Sequence, residues 1–107
     1  MGCIVARTDY IEENPQGVEH FLTAYQDSIA YMSDPANLED AAQLVAQYGI
    51  TPNAAIAKSA IPQCNLVCLT GEEMKSVLED YYQVLYDADP ASIGGALPYD
   101  SFYYGVS

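Results

Sequence analysis

The sequence predicts a mainly α chain of about four helices with one or two short strands. Three observations carry that reading. Helix-start signals recur at Asn14-Pro15, Asp34-Pro35, Thr51-Pro52 and Thr70-Gly71-Glu72-Glu73: a capping side chain before proline, or a capping box. Behind them, apolar residues repeat at three- and four-residue steps, the period of one helical face. Outside these helical stripes, Cys3-Ile4-Val5-Ala6 and Leu66 to Leu69 are short apolar runs, the first read as a buried strand and the second as a strand or buried connector.

The elements follow in order. A strand at Cys3–Ala6 starts with no upstream neighbour, although a buried strand normally has one on each side, so the chain reads as cut there. Asn14 caps a helix of about 18 residues whose stripe is Val18, Phe21, Leu22, Tyr25, Ile29 and Met32. Asp34-Pro35 ends that helix and opens the next, which buries Leu38, Ala41, Ala42, Val45 and Tyr48 and stops at Gly49. Thr51-Pro52 starts a short helix through Ala54, Ala57 and Ile61, ended by Pro62. Thr70 and Glu73 form a capping box for a last helix carrying Met74, Val77, Leu78, Tyr81 and Leu85. Asp89-Pro90 breaks it, and a loop leads to the aromatic end at Tyr99, Phe102, Tyr103 and Tyr104, which is expected to lie against apolar surface.

Charge excludes several functions. Fifteen carboxylates face Arg7, Lys58 and Lys75, a formal net charge of −12. Nucleic-acid affinity rests on Lys and Arg contacts to phosphate, so no nucleic-acid partner is expected, and anionic lipid would repel the chain. No run approaches the roughly 18 apolar residues of a membrane span, so no membrane insertion is expected. No signal peptide is read at the start, which places the chain, expressed as it stands, in the cytoplasm. Ten Tyr and two Phe in a 107-residue chain suggest half-buried surfaces.

Candidate chemistry is sparse. The adjacent carboxylates Glu12-Glu13, Glu39-Asp40, Glu72-Glu73 and Glu79-Asp80 point about 100° apart on a helix and cannot share a proton or a metal unaided. Cys64 and Cys68 do not have zinc-knuckle spacing, and His20 is the only histidine. The thiols are expected to be buried and inert, and His20 solvated. Gly94-Gly95 lacks phosphate-loop spacing. No catalytic residue, no metal and no cofactor is expected.

Several stretches, read together, resemble one family. Gly2-Cys3-Ile4-Val5-Ala6-Arg7 running into Tyr10-Ile11-Glu12-Glu13-Asn14-Pro15 resembles a strand-to-helix passage of periplasmic-type solute-binding proteins of ABC importers, in the nitrate, sulfonate, taurine and thiamine-precursor group. Tyr48-Gly49-Ile50-Thr51-Pro52-Asn53 and Ile61-Pro62-Gln63-Cys64-Asn65-Leu66-Val67 are similar to later helical segments of that group. Gly71-Glu72-Glu73-Met74-Lys75, Ser92 through Asp100, and Phe102-Tyr103-Tyr104 are similar to its C-terminus. The resemblance implies that residues 1–107 are a single partial domain, the C-terminal part of a type II periplasmic-binding-protein α/β fold, mostly helices and tail of the first lobe. It also implies a parent outside the cytoplasm that delivers a small-molecule solute to an ABC permease, and Gly2 and Cys3 near the parental ligand cleft.

Helical stripes without a parental sheet must bury against each other or a second copy, so a homodimer or other self-association is expected. The first functional expectation is a non-catalytic fragment of a solute-binding protein. The alternatives are an autonomous acidic helical protein-interaction module and, third, an enzyme using acidic residues with a metal.

Overall fold

The computed structural model describes residues 2–106. The chain groups into two compact units, residues 1–68 and 69–107. Both are helical, and among the described residues there is no strand. Among the described residues no helix is long and apolar enough to cross a membrane.

The first unit carries α1 (Thr8–Glu13), α2 (Pro15–Ser33), α3 (Leu38–Gln47) and α4 (Ala54–Ala60). Helix α1 replaces the expected strand-to-cap passage. Residues 3–6 have no regular structure, and Ile4 and Val5 stand 59% and 80% exposed. Four apolar residues cannot hold a strand when nothing pairs with their backbone. Residues 66–69 fail as a strand for the same reason; they form an irregular connector that is not buried, with Val67 61% exposed.

Asn14 also acts against expectation. It stands before α2, yet its side chain makes no bond to that helix; its Nδ2 donates to Tyr10 O at 3.1 Å, capping the end of α1. Once α1 forms, its free carbonyls compete for the carboxamide. Helix α2 otherwise follows the sequence, with Pro15 at its first position and Val18, Leu22, Tyr25, Ile29 and Met32 half-buried. Phe21 stacks on Tyr25 with ring centroids 5.8 Å apart but stays largely exposed.

Asp34 ends α2 without starting α3. Its Oδ1 accepts from Ala36 N at 2.9 Å, closing a 3₁₀ turn at Pro35–Asn37. Asn37 Nδ2 reaches back to Tyr31 O at 3.2 Å and covers one of the last carbonyls of α2. Helix α3 ends in a Schellman arrangement: Gly49 N donates to Ala46 O at 3.0 Å and Ile50 N to Val45 O at 3.1 Å. That geometry sets Gly49 at φ +74°, where a Cβ is strained. Helix α4 starts two residues later than the Thr51-Pro52 signal. Asn53 is its cap, accepting from Ile56 N at 3.0 Å, while Thr51 Oγ1 donates to Asn53 O at 3.0 Å.

Helices α3 and α4 form the tightest packing of this unit. Its buried residues are Ala41, Ala42 and Ala57, with exposures of 0%, 0% and 1%. Small side chains let two backbones approach closely, so a methyl group fills the contact. Lys58 Nζ on α4 meets Glu39 Oε2 on α3 at 2.7 Å across the exposed edge. Tyr48, expected on the buried stripe, lies past the last turn and is exposed.

The second unit is α5 (Gly71–Ala88) and a folded tail with 3₁₀ turns at Pro90–Ile93 and Asp100–Phe102. The expected capping box is absent: Thr70 makes no side-chain bond to the helix, and Gly71 at the first position has φ +60°. The helix end repeats the Asp34 device. Asp89 Oδ1 accepts from Ala91 N at 3.0 Å, and Ser92 Oγ donates to Asp89 O at 2.7 Å. The same Asp-Pro-Ala tripeptide thus closes both long helices, because the carboxylate presets the turn that proline's fixed φ requires.

The tail then returns along α5. Tyr82 and Phe102 meet edge-on at 6.3 Å, and Phe102 and Tyr103 at 5.3 Å. The aromatic end packs as expected at Tyr103, which is 4% exposed, whereas Tyr99 points to solvent. No large side chain is completely buried among the described residues.

Candidate functional site

Gly2 and Cys3, the expected cleft residues, are exposed and lie outside any helix or strand. Neither lines the clefts described below. The cysteines are free, and Cys3 and Cys64 are exposed rather than buried. The segments expected to bury Cys3 and Cys64 form no sheet and no core, and Cys64 Sγ instead donates to Ala60 O at 3.4 Å. Among the described residues no three His, Cys, Asp or Glu side chains come together as metal ligands. His20 lies on the exposed side of α2.

A shallow cleft is found in each unit. In the first, a space of about 280 Å³ is bordered mainly by Met32, Pro35, Leu38, Ile61, Pro62 and Leu66. Asn65, also on its wall, has φ +52°, a conformation asparagine tolerates better than most residues. In the second, about 320 Å³ is lined by Glu79, Asp80, Gln83, Leu97, Pro98 and Tyr103.

The polar groups behind the second cleft are few. Lys75 Nζ lies 2.9 Å from Asp100 Oδ1 and 3.7 Å from Glu79 Oε1. Its ammonium is held above the ordinary lysine range, first by the hydrogen bond to Asp100 and then by the nearby carboxylate charges. The Tyr103 hydroxyl is buried without a hydrogen-bond partner, and burial pushes its pKa up, aided by the negative charge of Glu79. A neutral phenol beside a paired ammonium offers no activated base or nucleophile.

The surface with the clearest pattern is α5 itself. Successive residues turn about 100°, so its apolar side chains cover roughly 200° of the helix, twice the usual stripe. Met74, Leu78, Tyr82 and Leu85 occupy the half-buried part. Val77, Tyr81 and Val84 form a second strip within about 60° of arc, exposed at 39%, 42% and 66%. Glu73, Asp80 and Asp87, at seven-residue steps, run beside that strip and are all exposed. The sequence stripe placed Val77 and Tyr81 with the core residues and missed Val84. The heptad step of the three carboxylates was the available signal.

The cations are already engaged. Arg7 pairs with Asp9, Lys58 with Glu39 and Lys75 with Asp100. The net charge of −12 is therefore presented mainly by unpaired carboxylates. Comparison with protein families, curated proteins and solved structures finds no match to this chain.

Proposed function

We propose that this chain is an acidic helical interaction module that works by binding another protein rather than by catalysis. The observation that carries this reading is the width of the apolar surface on α5, which its own tail covers only in part. Contiguous exposed apolar side chains rimmed by charge are the usual mark of an interaction surface. The charged residues beside the exposed strip, Glu73, Asp80 and Asp87, are all acidic, which selects a basic partner and gives an association that salt weakens.

Native extracts at low ionic strength test it. The endogenous chain should migrate in a complex larger than itself and return to its own mass as salt is raised to about 0.5 M, where charges more than about 4 Å apart in solvent are screened. Migration at its own mass at low salt would overturn the reading.

A second reading is favoured by residues 3–6 alone. Ile4 and Val5 are apolar and exposed in a segment without regular structure, as expected of a strand lacking the sheet it belongs to. On the family resemblance, that sheet would be the first lobe of an ABC importer's solute-binding protein, and this chain a fragment of its C-terminal part. An upstream in-frame coding region for an α/β lobe supports this reading, and a transcript without one removes it.

A further inference from the structure

We infer that the strip Val77, Tyr81 and Val84 on α5 is a docking seam for an amphipathic helix of another protein, one whose apolar face is bordered by lysine or arginine. The inference rests on the binding-module reading and names its surface and partner chemistry. The strip spans seven residues, about 10 Å along the helix, and is as narrow as the seam by which two helices pack. Glu73, Asp80 and Asp87 extend beside it over about 21 Å at the same heptad step. Cations at heptad spacing on a partner helix would face all three, as flanking charges do in paired helices.

Charge selects among the possible occupants. A second copy would bring another −12 and the same acidic row, with its three Lys and Arg side chains already paired internally. Anionic lipid and nucleic acid are repelled for the same reason. A basic helix supplies both what the apolar strip lacks and what the carboxylate row lacks.

The test uses the full chain and an 18-residue amphipathic peptide of leucine and lysine, with an isomer whose leucine stripe is flanked by glutamate. The lysine peptide should bind at low salt and the glutamate isomer should not. Val77→Ser with Val84→Ser should weaken binding roughly tenfold or more, and Asp80→Lys with Asp87→Lys should do likewise. Glu12→Lys with Glu13→Lys makes the same charge change on α1 and should alter affinity by less than about threefold. Circular dichroism of each variant establishes that the helices are retained.

Equal loss in the α1 control, or no loss with the two serines, would overturn the inference in favour of general charge attraction. So would a dimer of the free chain that Val84→Ser dissolves, which would make a second copy the occupant. If the native complex survives Val77→Ser with Val84→Ser, the module reading stands and the seam assignment falls. If no native complex forms, the module reading falls by its own test.

Discussion

The ammonium of Lys75, near the start of α5, lies 2.9 Å from the carboxylate of Asp100 in the last 3₁₀ turn. The pair ties the tail to the helix at the end where Gly105 lies beside Gly71, its carbonyl oxygen 3.9 Å from where a Cβ on Gly71 would sit, an ordinary van der Waals contact. Tyr103 is buried between Asp100 and Gly105 in sequence, and its ring contact to Phe102 completes the closure. Removing the ion pair should therefore free the tail before it disturbs α5. Asp100→Asn is expected to raise proteolysis and amide exchange across residues 97–105 while far-UV circular dichroism stays unchanged.

The same groups set an alkaline limit. Lys75 is held above the ordinary lysine value of 10.5, first by its bond to Asp100. A group with a raised folded pKa contributes stability in full below its unfolded value and loses it as pH rises through the folded one. Tyr103 acts in the same direction. Burial keeps its phenol protonated in the fold while the unfolded chain ionises near pH 10, so unfolding gains above that point. The tail should loosen as pH rises past about 10, and absorbance at 295 nm should show one tyrosine titrating late, a component that Tyr103→Phe removes.

Acid should act on the first unit instead. Glu39 is held below its ordinary value of 4.5, first by the hydrogen bond from Lys58. That contribution is present above the unfolded value and is lost as pH falls through the lowered one. Both partners are exposed, so the effect should be small and should vanish in high salt. Comparing acid titrations of the wild type and Lys58→Met at low and high salt, followed by exchange of α4 amides, measures it.

Tyr103→Phe should stabilise the second unit. The buried hydroxyl has no hydrogen-bond partner, and an unsatisfied buried polar group costs about 1–3 kcal/mol. A gain of about 1 kcal/mol in urea unfolding is expected, whereas Tyr103→Ala should destabilise through the lost ring contacts.

The alanine contact of α3 and α4 should resist enlargement. Ala42 and Ala57 have no exposed surface to speak of, and adding methylenes to a filled contact costs about 1–3 kcal/mol. Ala42→Leu is expected to lower Tm by roughly 4–8 °C for each kcal/mol lost, while Ala55→Leu, at an exposed position of α4, should be nearly neutral. Gly49→Ala should cost about 1 kcal/mol, because φ +74° is unfavourable for any residue with a Cβ.

The sequence alone determined the long elements, because apolar periodicity and proline act locally. Helix α2 with Pro15 at its first position, the stop at Gly49, the length of α5 and the breaks at Asp34 and Asp89 were all legible from neighbouring residues. Side-chain capping was less so. Asn14 bonds backwards to Tyr10 and Thr70 makes no cap, since a short polar side chain chooses among backbone partners that exist only once the adjoining turn has formed. The strand expected at Cys3, and the strand alternative at Leu66, do not form, because an apolar run specifies burial while a strand also needs a neighbour to pair with. The candidate docking seam shows the same division. Apolar spacing named Val77 and Tyr81 but treated them as core, because periodicity records which residues share a face and not whether anything covers it. Only the tertiary structure decided that the tail packs along Tyr82 and leaves Val77, Tyr81 and Val84 open beside three carboxylates, for coverage depends on contacts between residues far apart in the chain.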